Sequence, residues 1–198
     1  MVKIMKTLSK TLAILTVLLL AFTLVPVGKV QAAGTDSLED FTSSLPKSDA
    51  TKLVGVFAND ILSASIVQQS SAAYVSSRAG TVTQFGLAGQ YGSIGLLAHN
   101  YLSGASFSRL GAGSEIYLVY GDGSTKKYQV TSVKKYQALS PTDLYSDFKN
   151  LDNPDTTLSS SDLFSETYGQ GGKLVLQTCI SKDGQSSWGR LFIIASPV

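Results

Sequence analysis

The sequence is poor in the residue types that usually carry chemistry. In 198 residues it has one cysteine, one histidine and one tryptophan, with two methionines and five prolines. A single Cys179 cannot close an internal disulfide, which excludes the stapled frameworks of small secreted scaffolds. One Cys and one His cannot fill a four-ligand shell, so a structural zinc site is excluded and no metal is expected. With no second cysteine to resolve a mixed disulfide, thiol redox chemistry has little to work with. No residue pattern calls for a cofactor. Charged residues make up only 15% of the chain against 43% hydrophobic ones, enough apolar surface for the core of one medium domain and too much for compositional disorder.

A basic surplus is missing as well. The formal charge is +2, but residues 1–32 hold four lysines and no acidic residue, so the remainder carries −2. Nothing there supports nucleic-acid binding. Those 32 residues have a basic head at Lys3, Lys6 and Lys10, an uncharged apolar run from Leu12 to Val27, and small residues around Val30-Gln31-Ala32. That order is expected of a secretory signal peptide. The apolar run is near the lower limit for crossing a bilayer, so the second reading is an uncleaved N-terminal anchor. Either way the body is expected outside the cytoplasm, secreted or in the cell envelope, with the membrane touched only through this segment.

Residues 33–51 are rich in Ser, Thr, Asp and Pro without sustained period, and read as a linker. From residue 52 to 198 the text becomes short β-like runs. They are Leu53–Phe57, Ile61–Val67, Thr81–Phe85, Ser93–His99, Glu115–Tyr120, Lys126–Val133, Lys173–Cys179 and Trp188–Ser196. Gly121-Asp122-Gly123 and Asp183-Gly184 are hairpin signals. Phe107 and Leu110 suit a single helical turn, and Thr142–Phe148 and Ser161–Tyr168 suit short helices. Many short strands with turns between them indicate an all-β barrel or sandwich. The stretch from Gln137 to Gly171 is long for a connection in a compact domain, which points to work such as walling a binding site.

The rare residues fall at strand ends. Cys179 closes one apolar run, His99 closes another, and Arg190 opens the last. The Asp183-Gly184 turn should fold the final strands antiparallel and bring Cys179 and Arg190 to one end. A thiol attacks a carbonyl as thiolate, which a basic partner must help supply. An imidazole can hold that proton and later deliver it to a leaving amine. A guanidinium can stabilise the oxyanion formed by attack on an amide, or hold peptide carbonyls.

These residues also carry a resemblance. Leu176-Gln177-Thr178-Cys179, a loop, and then Trp188-Gly189-Arg190-Leu191-Phe192-Ile193-Ile194-Ala195 resemble the end of the sortase family, whose pattern there is T-L-x-T-C followed by an arginine on the final strand. Leu97-Ala98-His99-Asn100, with Gly104, Phe107, Leu110, Gly113, Ile116, Leu118 and Tyr120 beyond, resemble its histidine segment. Val175 departs from the pattern, standing where the family has its first threonine. The resemblance implies a closed, eight-stranded sortase-type β-barrel with short helices in the connecting loops. It implies a cysteine transpeptidase that cuts the peptide sorting signal of a secreted protein, holds the acyl fragment as a thioester, and passes it to an amine of the envelope or of another protein. Cys179 would be the nucleophile, His99 the acid/base and Arg190 the oxyanion or substrate-positioning group. Thr178 would help form the oxyanion site, and the Gln137–Gly171 stretch would select substrate. Two other readings share these residues: a cysteine endopeptidase whose thioester ends in water, and a non-catalytic envelope barrel that binds peptides.

Overall fold

The computed structural model describes residues 37–143 and 145–198. The segment expected to be a signal peptide or anchor lies outside them. Among the described residues no helix is long and apolar enough to cross a membrane.

Among the described residues ten strands form one sheet: β1 (Leu53–Ala58), β2 (Leu62–Gln68), β3 (Thr81–Phe85), β4 (Ile94–Leu97), β5 (Glu115–Tyr120), β6 (Thr125–Ala138), β7 (Phe148–Asn150), β8 (Thr157–Leu158), β9 (Leu174–Lys182) and β10 (Gln185–Pro197). Their order is β10-β9-β4-β3-β2-β1-β5-β6-β7-β8, and β10 also pairs with β6. That last pairing joins the first eight strands into a ring, the expected eight-stranded barrel, and closure leaves those strands no free edge along the joined stretch. The long β6 makes this possible. Its first third pairs with β5, its body with β10, and its last residues with β7. Pairing is parallel between β2 and β3 and between β4 and β9, and antiparallel elsewhere.

The period-two alternation of the sequence sorts the two faces of the wall. Leu62, Ala64 and Ile66 of β2, Leu174 and Leu176 of β9, and Leu191 and Ile193 of β10 fill the interior together with Val56, Leu96, Phe107 and Leu118. The intervening residues face outward, and on one side they meet a second cluster built from Val175, Phe192, Ile194, Tyr136, Phe148, Leu163 and Tyr168. The turns follow their residues. Asp183 and Gly184 both have positive φ, at 51° and 79°, which fits a two-residue hairpin turn between β9 and β10.

Among the described residues there are three helices and one 3₁₀ segment outside the strands: α1 (Leu38–Ser44), α2 (Gly86–Gln90), α3 (Ser160–Thr167) and the 3₁₀ turn Ser103–Arg109. The stretch read as linker therefore contains α1. Its start is capped by Ser37, whose hydroxyl accepts from the Asp40 N–H, and Glu39 and Asp40 sit in the first turn where the helix dipole favours anions. Phe41 stacks on Phe57 with ring centres 5.6 Å apart. Gly55 permits this approach, since a Cβ there would overlap Leu45 and sit 2.9 Å from the Phe41 ring. The helix expected at Thr142–Phe148 is not formed over its described residues. Instead Phe148 pairs with Ala138, and the Leu139 N–H donates to the Asp147 carbonyl at 2.9 Å, so the chain extends the end of β6. Sheet pairing outweighs local helix preference there.

Candidate active site

One section of wall, β4–β9–β10, carries all the rare chemistry. Leu174, Leu176 and Thr178 of β9 are buried, while Gln177 and Cys179 on the alternate positions are half-buried. Cys179 is the register partner of Arg190, and Gln177 that of Phe192. On the other flank the parallel pairing runs from Ile94↔Leu174 to Leu97↔Gln177. The Ala98 N–H continues it, donating to the Gln177 carbonyl at 3.2 Å. His99 follows two residues beyond Leu97, just past the last paired residue of β4. Thiol, imidazole and guanidinium thus belong to three neighbouring chain segments at one rim of the barrel, each half-buried.

The histidine segment leaves the sheet at Leu97 and is tied down on both sides. The N–H groups of Leu102 and Gly104 both donate to the His99 carbonyl, at 3.0 and 3.1 Å. A Cβ at Gly104 would overlap Thr178 Oγ1 and lie 2.7 Å from the His99 carbonyl oxygen, so this close crossing requires glycine. Asn100 Nδ2 donates to Ser181 Oγ at 2.6 Å and to the Ser186 carbonyl at 2.9 Å, joining the histidine segment to the β9–β10 hairpin. The Tyr101 ring stacks on His99, with centres 5.2 Å apart and planes 18° from parallel. Arg190 Nη1 donates to the carbonyls of Ser187 and Gly189, both at 2.9 Å, and its guanidinium carbon lies 5.8 Å from the centre of the Phe148 ring.

Thr178 commits its hydroxyl to the neighbouring segment. Its side chain is buried and its hydroxyl donates to the Ala98 carbonyl at 2.8 Å. The alternation that turns Cys179 outward turns Thr178 inward, so the hydroxyl anchors the histidine segment and does not face the thiol side. Asn100 and Gln177 make contacts at the site that composition did not announce. Asn100 stands beside the lone histidine and Gln177 sits two residues before the lone cysteine, and that adjacency was the available signal.

A groove of about 370 Å³ runs beside this rim. Its floor includes Leu97, Gln177, Arg190 and Phe192. One wall is the β2–β3 loop at Ala72, Ala73 and Val75, and the other comes from the long connection after β6 through Phe148, Leu163, Phe164 and Tyr168. Edge-to-face packing of Phe85 on Tyr168 and on Phe164, at 5.3 and 6.2 Å, fixes the aromatic lining. Tyr168 is fully buried and donates its hydroxyl to Gln177 Oε1 at 2.7 Å; burial pushes its pKa far up, so it stays a neutral donor. Glu166 pins α3 to the wall by accepting from Tyr136 at 2.8 Å and from Lys134. Burial pushes the Glu166 carboxyl upward, but these two donors outweigh it and hold it below the usual range. A larger hollow of about 490 Å³ lies by α1 and borders neither thiol nor imidazole. Among the described residues there is no group of three or more His, Cys, Asp or Glu able to hold a metal.

Residues 58–198 match the Sortase domain family. The chain belongs to the sortase family. The match extends the resemblance seen in the motifs upstream to the end of β1. Sortases are cysteine transpeptidases that act on sorting-signal substrates and amine acceptors, generally in the cell envelope. A solved structure of another sortase shares the fold. Sortase C-1 from Actinomyces oris is 15% identical, with 73% of this chain and 71% of that chain covered and a TM-score of 0.50. Sortase A from Listeria monocytogenes is 14% identical, covering 76% and 88%, with a TM-score of 0.46. Sortase C from Clostridium perfringens SM101 is 13% identical, covering 76% and 72%, with a TM-score of 0.44. A search of curated protein sequences returns no match. Val175, the departure from the sortase motif, is fully buried in the outer aromatic cluster, where an apolar side chain suits the surroundings.

Proposed function

We propose that this chain is an exported sortase-type transpeptidase in which Cys179 is the nucleophile, His99 the acid/base and Arg190 the group that stabilises the oxyanion or holds substrate carbonyls. The Cys179 thiolate attacks the scissile carbonyl, the C–N bond breaks, and imidazolium gives its proton to the departing amine. The thioester is then attacked by an acceptor amine, whose proton returns to His99 as the thiolate leaves. Arg190 meets the developing negative charge with a permanently charged, planar donor. Thr178 and Asn100 are positioning residues for the histidine segment. The observation that carries the reading is the strand register, which pairs Cys179 with Arg190 and pairs Leu97, two residues before His99, with Gln177. The substrate is the sorting signal of a secreted protein, lying along the groove beside Arg190.

Product analysis tests it. Full-length protein with candidate sorting peptides should give an amide-linked product when an amine acceptor is added. Cleavage that persists while no amide-linked product forms would make the protein a hydrolytic endopeptidase; no cleavage at all, with peptide binding retained, would leave a binding barrel.

A further inference from the structure

The floor of the groove is polar in one sense only. Gln177 Oε1 is occupied by the Tyr168 hydroxyl at 2.7 Å, and among the described residues nothing accepts from its amide nitrogen. Tyr168 is itself locked by Phe85 and Phe192 at 5.3 and 6.2 Å, so the amide has a fixed orientation, with oxygen inward and N–H groups free. Of the other polar groups Arg190 is a donor, Ser160 and Thr167 carry hydroxyls, with Thr167 donating to the Leu163 carbonyl at 2.8 Å, and no carboxylate lines the groove. Gln177 and Cys179 share a strand face two residues apart, about 6.6 Å, which is about two residues of an extended peptide laid along β9.

We propose that Gln177, oriented by Tyr168, is a specificity-determining residue that selects a substrate side chain ending in a carbonyl, an amide or a carboxylate, about two residues from the scissile bond. The aromatic rings hold the methylene stem of that side chain, and the Gln177 N–H groups meet its oxygen. A site with Gln177 and Arg190 as donors on its floor and no carboxylate in its lining disfavours lysine or arginine at that position and leaves its own donors unpaired against leucine. The assignment of the scissile bond rests on Cys179 being the nucleophile; the selectivity itself does not.

The test uses full-length Cys179→Ala protein and a positional-scanning library of acetylated octapeptides, with retained peptides read by mass spectrometry. At one position, Asn, Gln, Asp and Glu should be enriched about 3- to 10-fold over Leu and Met, the range of a single hydrogen bond. Gln177→Leu should flatten that enrichment. Gln177→Glu should turn it toward Lys and Arg. Tyr168→Phe should free the amide to rotate and raise Lys and Ser, an effect that simple loss of packing would not produce. Enrichment that survives unchanged in Gln177→Leu, or a library that shows no such position, overturns the proposal. Parallel mass measurement of wild-type protein with the same peptides, scoring hydroxylamine-labile adducts on Cys179, separates the two claims. Adducts with flat selectivity sink this inference alone, and selectivity without adducts sinks the transpeptidase reading alone.

Discussion

Helix α1 and the connection between β6 and β9 both cover the outside of the barrel, and each leaves a hollow beside it. The hollow by α1 is the larger, about 490 Å³ against about 370 Å³. Its polar groups are satisfied locally: Glu115 accepts from Tyr117 at 2.9 Å and pairs with Lys127 at 2.5 Å. The groove under the connection borders Arg190 and a half-satisfied Gln177, next to the only thiol and the only imidazole. The two hollows therefore differ in more than volume. What separates the hollows is the presence of groups left with something to do. The covers differ in the same way. α1 stacks Phe41 on Phe57 and helps bury β1 on both faces, whereas α3 is pinned to the wall through Glu166, which accepts from Tyr136.

If that contrast is right, substitutions on the two sides should have effects of different kinds. The largest falls on the rim. Cys179→Ala and His99→Ala should each lower peptide turnover by about 10³-fold or more, and the double variant should be little worse, since the two act as a unit. Leu38→Ala, at the other hollow, should leave turnover unchanged; equal losses at both hollows would erase the distinction. Arg190→Lys should cost about 100-fold in kcat/KM, because a point charge cannot replace a planar two-pronged donor. Near-normal turnover would make Arg190 structural. Phe41→Ala should do the reverse of these, lowering unfolding free energy by about 3 kcal/mol with kcat intact, read by denaturant titration and peptide assay.

The smallest effect concerns the connection. The Glu166 pKa is lower in the folded state than its ordinary 4.5, so the carboxylate adds stability that is present above that value and is lost as pH falls through the folded one. Glu166→Gln should reduce the steepness of acid unfolding below about pH 4.5, by less than about 1 kcal/mol because the pair is partly exposed. An unchanged acid limb would mean the Lys134–Glu166–Tyr136 contacts contribute nothing to holding α3. At the alkaline end, buried Tyr136 and Tyr168 have raised pKa values, so their contribution is complete below about pH 10 and declines above it as the unfolded chain ionises.

The barrel was legible because its strands write their burial into the sequence. Leu174-Val175-Leu176 and Leu191-Phe192-Ile193-Ile194 are buried on both faces and read as unbroken apolar runs, while Leu62 to Gln68 alternates. The Asp183-Gly184 turn put Cys179 and Arg190 at one end of adjacent strands before any coordinates, while their direct pairing depends on a register shift between Gln185 and Gly189 that the turn does not announce. Elements that depend on distant partners were not legible. β7 and β8 have two or three residues each and exist because the end of β6 offers an edge. α1 sits in a polar, proline-bearing stretch, and only Gly55 on the facing strand admits its Phe41 and Leu45. The direction of the Thr178 hydroxyl follows from alternation along β9, which the motif resemblance alone does not weigh. The long connection stood out by its excess length, but the aromatic lining it gives the groove depends on how Phe148, Phe164 and Tyr168 fold back together.

The most direct test of the central claim is the intact mass of full-length protein after brief incubation with candidate sorting peptides. The account predicts an increment equal to the acyl fragment, located on Cys179, removed by hydroxylamine, and missing in Cys179→Ala. Peptides cleaved at an undiminished rate by Cys179→Ala, with no such increment on the wild type, would contradict it.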